Sequence, residues 1–236
     1  MKIINKIITC IKDFKEFNDI LTNMKYLLQN KSIAVIGSAK NITEEKFGYK
    51  IDQNDLVVRF NGAPTTNFET FVGKKTDIIV CTNIFFVNID RNLMLYENKD
   101  PDFIKKQKHK IIFIIVEEGL EYLKKNIYKL IDKSNTVIFF DNRLNRVLRF
   151  FIISKFNYIK KFLFFKNGKK LSSGLIFISI LKILNKQFTY FGFDLNKDIN
   201  NMHYYYYKPR LSDHIHTAHD FKMENKILKK LLNLKN

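Results

Sequence analysis

The feature that most constrains the fold is a series of short apolar runs, rich in β-branched residues, that recur between longer amphipathic stretches. These runs predict buried strands at 32–37, 55–60, 77–82, 110–116, 135–140 and 187–193. The intervening segments 117–132 and 173–186 instead have helical spacing of their apolar residues. Continuous apolar strands that alternate with amphipathic helices indicate a parallel sheet covered on both faces. We therefore predict an α/β fold with a doubly wound, mostly parallel sheet.

The chain length favours one domain, because 236 residues of which 46% are hydrophobic can bury one large core. Residues 1–30 carry isoleucines at helical spacing and predict one or two amphipathic helices, with the main domain at 31–236. Lysines interrupt this first segment too often for a signal peptide or a membrane span. The only cysteines, Cys10 and Cys81, indicate free thiols and a reducing compartment. We therefore expect a cytoplasmic protein.

The charge balance indicates an anionic partner. The formal net charge is +18 and the sequence pI is about 9.7, a surplus that suits nucleic acid, anionic lipid or a phosphorylated or carboxylated substrate. The basic residues are spread over the whole chain, and no nucleic-acid-binding motif accompanies them. We therefore expect no specific nucleic-acid partner.

The segment 143–170 differs from the rest, because Arg and Lys alternate there with Phe, Ile and Leu and no acidic residue is present. This pattern is typical of a lid, an acceptor-binding helix pair or a peripheral contact with the anionic inner face of a membrane. The alternative is a helix whose apolar face belongs to the core.

Three loops have residues suited to binding an anion or a sugar. Ser38 follows the glycine that ends the first strand, and Asn61 follows the second strand in "RFNGAP". Ligands of doubly wound sheets bind at such carboxyl ends of strands. In "LSSGL", Ser172 or Ser173 is an N-cap candidate, and Gly174 lets a carboxylate or phosphate approach the first helical N–H groups.

The C-terminal region contains four of the five histidines: His203, His214, His216 and His219. No metal site is predicted, since the histidines lack an HExxH arrangement and the chain has no Cys/His cluster. Thr217 and Asp220 have the spacing of a capping box, which places His219 in the first turn of the last helix. A helix N-terminus disfavours imidazolium, so His219 is expected to be neutral and able to act as a general base.

Taken together, these clusters resemble the sialylmotifs of glycosyltransferase family 29. The stretch 33–76, with "GYKID", "DLVVRFNGAPT" and "VGKKT", resembles the large motif, and 171–194 resembles the small motif. "HYYY" at 203–206 resembles the third motif, and His219 with Glu224 fits the H-x-x-x-x-E of the very small motif. The four motifs occur in the order typical of the family.

This resemblance implies an inverting, metal-independent transfer of sialic acid from a CMP-sugar donor, such as CMP-Neu5Ac, to a hydroxyl of an acceptor glycan or glycolipid, with no cofactor. It implies a single-domain Rossmann-like fold, the GT-A-like variant of the sialyltransferases, with residues 31–236 as the catalytic domain. By position, His219 is the base and His203 neutralises the leaving phosphate. The substrate-binding residues that the resemblance implies are Ser38, Asn61, Asn83, Ser172, Ser173, Gly174, Phe193 and Tyr204.

The chain departs from the family pattern in three positions. Ile33 and Asn185 stand where family members carry a pair of disulfide-bonded cysteines, and Tyr206 stands where the third motif usually ends in an acidic or amide residue. Three alternatives stay open: a CMP-Kdo-dependent transferase, since some relatives use that donor, a basic nucleic-acid-binding protein, which the net charge of +18 with 23 Phe and 11 Tyr would suit, and a catalytically inactive, lectin-like relative. The two retained histidines, His203 and His219, argue against the last.

Overall fold

The computed structural model describes residues 2–83, 106–156, 170–195, 204–209 and 219–234, and its centre is a six-stranded sheet. Every run that the sequence predicts as a strand forms one. The strands are β1 Ile33–Ile36, β2 Leu56–Phe60, β3 Ile78–Thr82, β4 Ile111–Val116, β5 Thr136–Asp141 and β6 Thr189–Phe191.

The strand order is β5-β4-β3-β2-β1-β6, and each neighbouring pair is parallel. The chain moves in one direction from β1 to β5 and then returns to place β6 on the other side of β1. This reversal makes the crevice at the carboxyl ends of β1 and β6 the topological switch point, where doubly wound sheets bind their ligands.

The helices lie on both faces of this sheet, and the predicted helices at 1–30 form a single one. The helices are α1 Lys2–Leu27, α2 Gly48–Asp52, α3 Glu69–Val72, α4 Leu120–Leu130, α5 Asn142–Phe156, α6 Ser173–Ile183 and α7 Phe221–Leu231, with a 3₁₀ turn at Lys40–Thr43. A short antiparallel hairpin pairs β7 Tyr204–Tyr205 with β8 Lys208–Pro209. In the part of the chain that the structure describes, no helix is both long and apolar enough to span a membrane.

Two layers of buried side chains hold the helices against the sheet. On one face α1, α5, α6 and α7 enclose the largest core, which includes Phe17, Phe113, Phe140 and Phe177. On the other face α4 packs against β3, β4 and β5, while α2, α3 and the 3₁₀ turn pack against β1 and β2. The molecule is therefore a three-layer α/β/α domain, and the predicted fold class is confirmed.

The first part of the segment 143–170 belongs to this core. Leu144 and Leu148 of α5 are buried, and Arg143 pairs with Glu16 of α1 at 3.0 Å and with Asp141 at 2.7 Å. Residues 143–154 therefore have the buried apolar face that the sequence left open as an alternative. Residues 157–169 lie outside the described residues, so a role of this segment as a lid or in binding acceptor or membrane stays a prediction.

Candidate active site

Backbone hydrogen bonds join the segments that follow β1 and β6, and the two backbones lie in close contact. The Gly37 N–H donates to the Phe191 carbonyl at 2.8 Å, and the Ala39 N–H donates to the Gly192 carbonyl at 3.0 Å. A Cβ atom on Gly37 would lie 2.2 Å from the Gly192 oxygen, so no side chain fits there. Ser38 follows directly and lies half-buried at the switch point, and its contact with a ligand stays a prediction.

Asn61 forms a tight turn at the end of β2. Asn61 has φ 50° and Gly62 has φ 66°, and the Ala63 N–H donates to the Phe60 carbonyl at 3.1 Å, which together define a type I′ turn. The Asn61 Oδ1 accepts a hydrogen bond from the Thr82 N–H at 3.3 Å and so joins β2 to β3. Asn61 therefore turns the chain and also places its half-exposed amide at the carboxyl edge of the sheet.

Other residues of the stretch that resembles the large motif form hydrogen bonds that join its segments to one another. The buried Arg59 guanidinium donates to the Val72 carbonyl at 2.6 Å and to the Lys75 carbonyl at 3.0 Å, and burial lowers its pKa to about 10. The Asp52 carboxylate accepts from the Lys74 and Lys75 N–H groups at 2.9 Å each. Hydrogen bonds thus join "GYKID" to "VGKKT" and "VGKKT" to Arg59 of β2, so these parts of the motif stabilise the fold.

Tyr206 fastens the third motif to the large motif. Its N–H donates to the Ser38 carbonyl at 3.1 Å, and its hydroxyl donates to the Pro64 carbonyl in the loop after Asn61. Burial raises the pKa of Tyr206 to about 12, so the phenol stays protonated and able to donate at neutral pH. Tyr206 stands where the third motif usually has an acidic or amide residue, and it therefore has a structural role there: it joins the third motif to the large motif. Tyr204 lies in β7, two residues before this anchor, and His203 lies outside the described residues.

The start of α6 faces the same edge. The Ser172 Oγ accepts from the Leu175 N–H at 3.3 Å and caps the helix, which leaves Ser173 and Gly174 in its first turn. A Cβ on Gly174 would lie 3.1 Å from the Phe193 ring, and that ring packs edge-on against Phe60 with centroids 6.2 Å apart. Phe193 therefore fills the space between α6 and the end of β2; its contact with a nucleotide stays a prediction.

His219 lies just before α7, and the predicted capping box was wrong. The N-cap is Asp220, whose Oδ1 accepts from the Met223 N–H at 3.0 Å, so His219 precedes the cap and is not in the first turn. Aspartate is a stronger N-cap than threonine, which explains why the helix begins after Asp220. The expected capping residue Thr217 lies outside the described residues.

Two groups fix the His219 ring. Its Nδ1 lies 2.9 Å from the Lys170 carbonyl oxygen and 3.5 Å from Glu224 Oε1. A carbonyl oxygen can only accept a hydrogen bond, so Nδ1 carries the proton in the neutral ring and the lone pair lies on Nε2. The same Glu224 Oε1 accepts from the Ser172 N–H at 2.8 Å. The structure therefore brings the predicted base and the predicted anion-binding helix start together through one buried carboxylate.

A family model for glycosyltransferase family 29 (sialyltransferase) matches residues 2–235. The chain belongs to this family. The human beta-galactoside alpha-2,6-sialyltransferase 1 is 51% identical over 45 residues, which cover 19% of this chain and 11% of the relative. The human CMP-N-acetylneuraminate-beta-galactosamide-alpha-2,3-sialyltransferase 1 is 38% identical over 65 residues, which cover 25% and 19%. The aligned segments thus span less than a fifth of either relative.

The fold of a solved family structure extends over most of the chain. A mammalian sialyltransferase in complex with Gal-beta-1-3GalNAc-ortho-nitrophenol matches with a TM-score of 0.55 and 17% identity, covering 95% of this chain and 76% of that one. At this identity the likeness shows the fold. The resemblance inferred from the sialylmotifs is confirmed at the level of the family.

A second group of polar residues lies at the carboxyl edge of the sheet and was not predicted from the sequence. The Glu117 carboxylate pairs with the Lys170 ammonium, and the Asn142 Nδ2 donates to the Glu117 carbonyl at 2.6 Å. The available signal was position, because Glu117 follows a predicted strand just as Asn61 does. Its partner was not predictable, since Lys170 is distant in sequence.

Asn83 is the most buried of the described residues predicted to bind substrate. Only 8% of it is exposed, its Oδ1 accepts from the Glu117 N–H at 3.3 Å and its Nδ2 donates to the Glu118 carbonyl at 2.9 Å. Both ends of the amide are therefore engaged in the fold, and its contact with substrate stays a prediction. Over the described ranges, no three His, Cys, Asp or Glu side chains form a group able to hold a metal ion.

Proposed function

We propose that this protein is an inverting, metal-independent glycosyltransferase that moves sialic acid from a CMP-sialic acid donor to a hydroxyl of an acceptor glycan. The observation that carries the proposal is the placement of His219. Its Nδ1 is bound to the Lys170 carbonyl, and Glu224 joins it to Ser172 at the start of α6. A base with a defined tautomer thus lies beside a helix N-terminus suited to an anionic donor.

The donor is expected to lie across the switch point. Ser38 and Asn61 contact the CMP part, because their loops leave the adjacent strands β1 and β2 at the same edge. Ser172, Ser173 and Gly174 hold the donor phosphate or the sugar carboxylate, since the first N–H groups of α6 and the helix dipole favour an anion.

The reaction is a single displacement. The acceptor hydroxyl gives its proton to His219 Nε2 as its oxygen attacks the anomeric carbon. The bond from that carbon to the phosphate oxygen breaks, and its electron pair leaves with CMP. The start of α6 and His203 stabilise the negative charge on the departing phosphate, so the transfer needs no metal ion. Attack from the face opposite to CMP inverts the anomeric configuration.

A CMP-release assay tests this proposal. The protein is incubated with CMP-Neu5Ac or CMP-Kdo, with and without a galactose-terminated oligosaccharide, in the presence and absence of excess EDTA. We expect CMP release from CMP-Neu5Ac that rises with the acceptor and survives EDTA. Preference for CMP-Kdo would contradict the donor assignment. Loss of activity in EDTA that manganese or magnesium restores would contradict metal independence.

A further inference from the structure

Lys170 connects the predicted base to the edge of the sheet. Its carbonyl oxygen accepts the hydrogen bond from His219 Nδ1 at 2.9 Å, and residues 170 and 219 form an isolated parallel bridge. Its ammonium group pairs with the Glu117 carboxylate. The peptide that sets the His219 tautomer therefore belongs to a residue whose side chain is itself tethered.

The backbone of Glu117 is fixed by its neighbours, so its carboxylate can hold the Lys170 ammonium in place. It follows β4, whose last residue, Val116, pairs with Asp141 of β5. The Glu117 N–H donates to Asn83 Oδ1 at 3.3 Å, and the Glu117 carbonyl accepts from Asn142 Nδ2 at 2.6 Å. Hydrogen bonds with the residue after β3 and with the first residue of α5 thus fix the Glu117 backbone, and its carboxylate is largely shielded, with 22% of the side chain exposed.

We propose that Glu117 is a positioning residue that acts on His219 through Lys170. Its ion pair with the Lys170 ammonium holds the Lys170 peptide in place. That peptide fixes the Nδ1–H tautomer of His219 and directs Nε2 toward the acceptor. The catalytic meaning of this arrangement rests on the proposed function, but the effect on the tautomer does not.

The Glu117–Lys170 ion pair is better suited to positioning His219 than to stabilising the fold. Half of the Lys170 side chain is exposed, and ion pairs with such exposure contribute little to folding. Small displacements of a catalytic group are by contrast costly to the rate, because the reaction requires a near-attack geometry. Breaking the pair should therefore change turnover while leaving the fold and the donor site intact.

Glu117→Gln tests the proposal by removing the charge and keeping the size and the backbone hydrogen bonds. We expect the kcat for transfer to fall by up to about 100-fold, the cost of a small misplacement. The KM for the donor and the affinity for CMP should stay near wild type. Lys170→Gln should reproduce this result, and the exchanged pair Glu117→Lys with Lys170→Glu should recover a large part of the turnover. The matched control is Glu121→Gln, whose carboxylate pairs with Lys124 at 3.6 Å on α4.

The ring tautomer gives a readout that needs no activity. Long-range ¹H–¹⁵N spectra, with the His219 signals assigned by comparison with His219→Ala, should show the Nδ1–H form in wild type and in Glu121→Gln. Glu117→Gln should show a mixture of tautomers. An unchanged tautomer together with unchanged turnover in Glu117→Gln would overturn the proposal. A changed tautomer in a protein whose wild type transfers no sugar would support the positioning role and contradict the proposed function.

Discussion

At the scale of single residues, the site uses side chains that serve the fold and the edge of the sheet together. Asn61 adopts a left-handed conformation that most residues disfavour, and its Oδ1 also bonds to the Thr82 N–H. The sequence was sufficient to single out this residue, because it directly follows a predicted strand, at the end where doubly wound sheets bind ligands. The bond to Thr82 was not predictable, since it requires the neighbouring strand.

Because Asn61 has these two roles, we expect two substitutions of it to differ in their effects. Asn61→Asp keeps an acceptor for Thr82 and tolerates the positive φ, but it loses the Nδ2 donor. We expect CMP affinity to weaken by about 1–3 kcal/mol, the cost of an unpaired polar group, with little change in melting temperature. Asn61→Ala should weaken CMP binding and also lower the melting temperature. Calorimetry that finds wild-type CMP affinity in both variants would restrict Asn61 to its turn.

His219 is expected to act on the acceptor and not on the donor. His219→Ala should lower turnover about 100- to 10,000-fold, the range for a lost general base, while CMP affinity stays close to wild type. The matched control is His109→Asn, because His109 is exposed, precedes β4 at the opposite edge and has a positive φ that Asn tolerates. If His219→Ala keeps more than about a tenth of the turnover, another group is the base.

At the scale of elements, the strands and their parallel order follow from the sequence, while the helix ends follow from it only in part. Short continuous runs of β-branched residues are typical of strands in a parallel sheet buried on both faces. The start of α7 was mispredicted because Thr217 and Asp220 are both good caps, three residues apart. Aspartate is the stronger cap of the two, and in the folded chain the helix begins after Asp220.

The close approach of β1 and β6 gives an element-scale prediction. Gly37→Ala places a Cβ 2.2 Å from the Gly192 oxygen, so one of the two strand ends must shift. We expect urea unfolding to show a loss of about 1–3 kcal/mol or more, as for other overpacked sites. Gly119→Asn is the control, because Gly119 has φ 73° and nothing lies within 4 Å of an added Cβ. Equal stability of Gly37→Ala and wild type would contradict the described packing.

At the scale of the whole molecule, one edge of the sheet collects loops from distant parts of the chain. Ser38, Asn61 and Gly174 follow or face the strand ends, and the fold adds His219, which lies just before α7, through Glu224. The motifs predicted which residues belong together. They did not predict the Glu117–Lys170 pair, because that contact joins two segments with no shared pattern.

The stereochemistry of the first product shows whether the protein transfers sialic acid with inversion. A ¹H NMR time course follows CMP-Neu5Ac and a galactose-terminated oligosaccharide in the presence of the wild-type protein. We expect a new sialoside whose first-formed anomer has the configuration opposite to that of the donor, with CMP appearing in equal amount. A product that retains the donor configuration, or CMP released with free sialic acid and no glycoside, would contradict an inverting transfer to an acceptor.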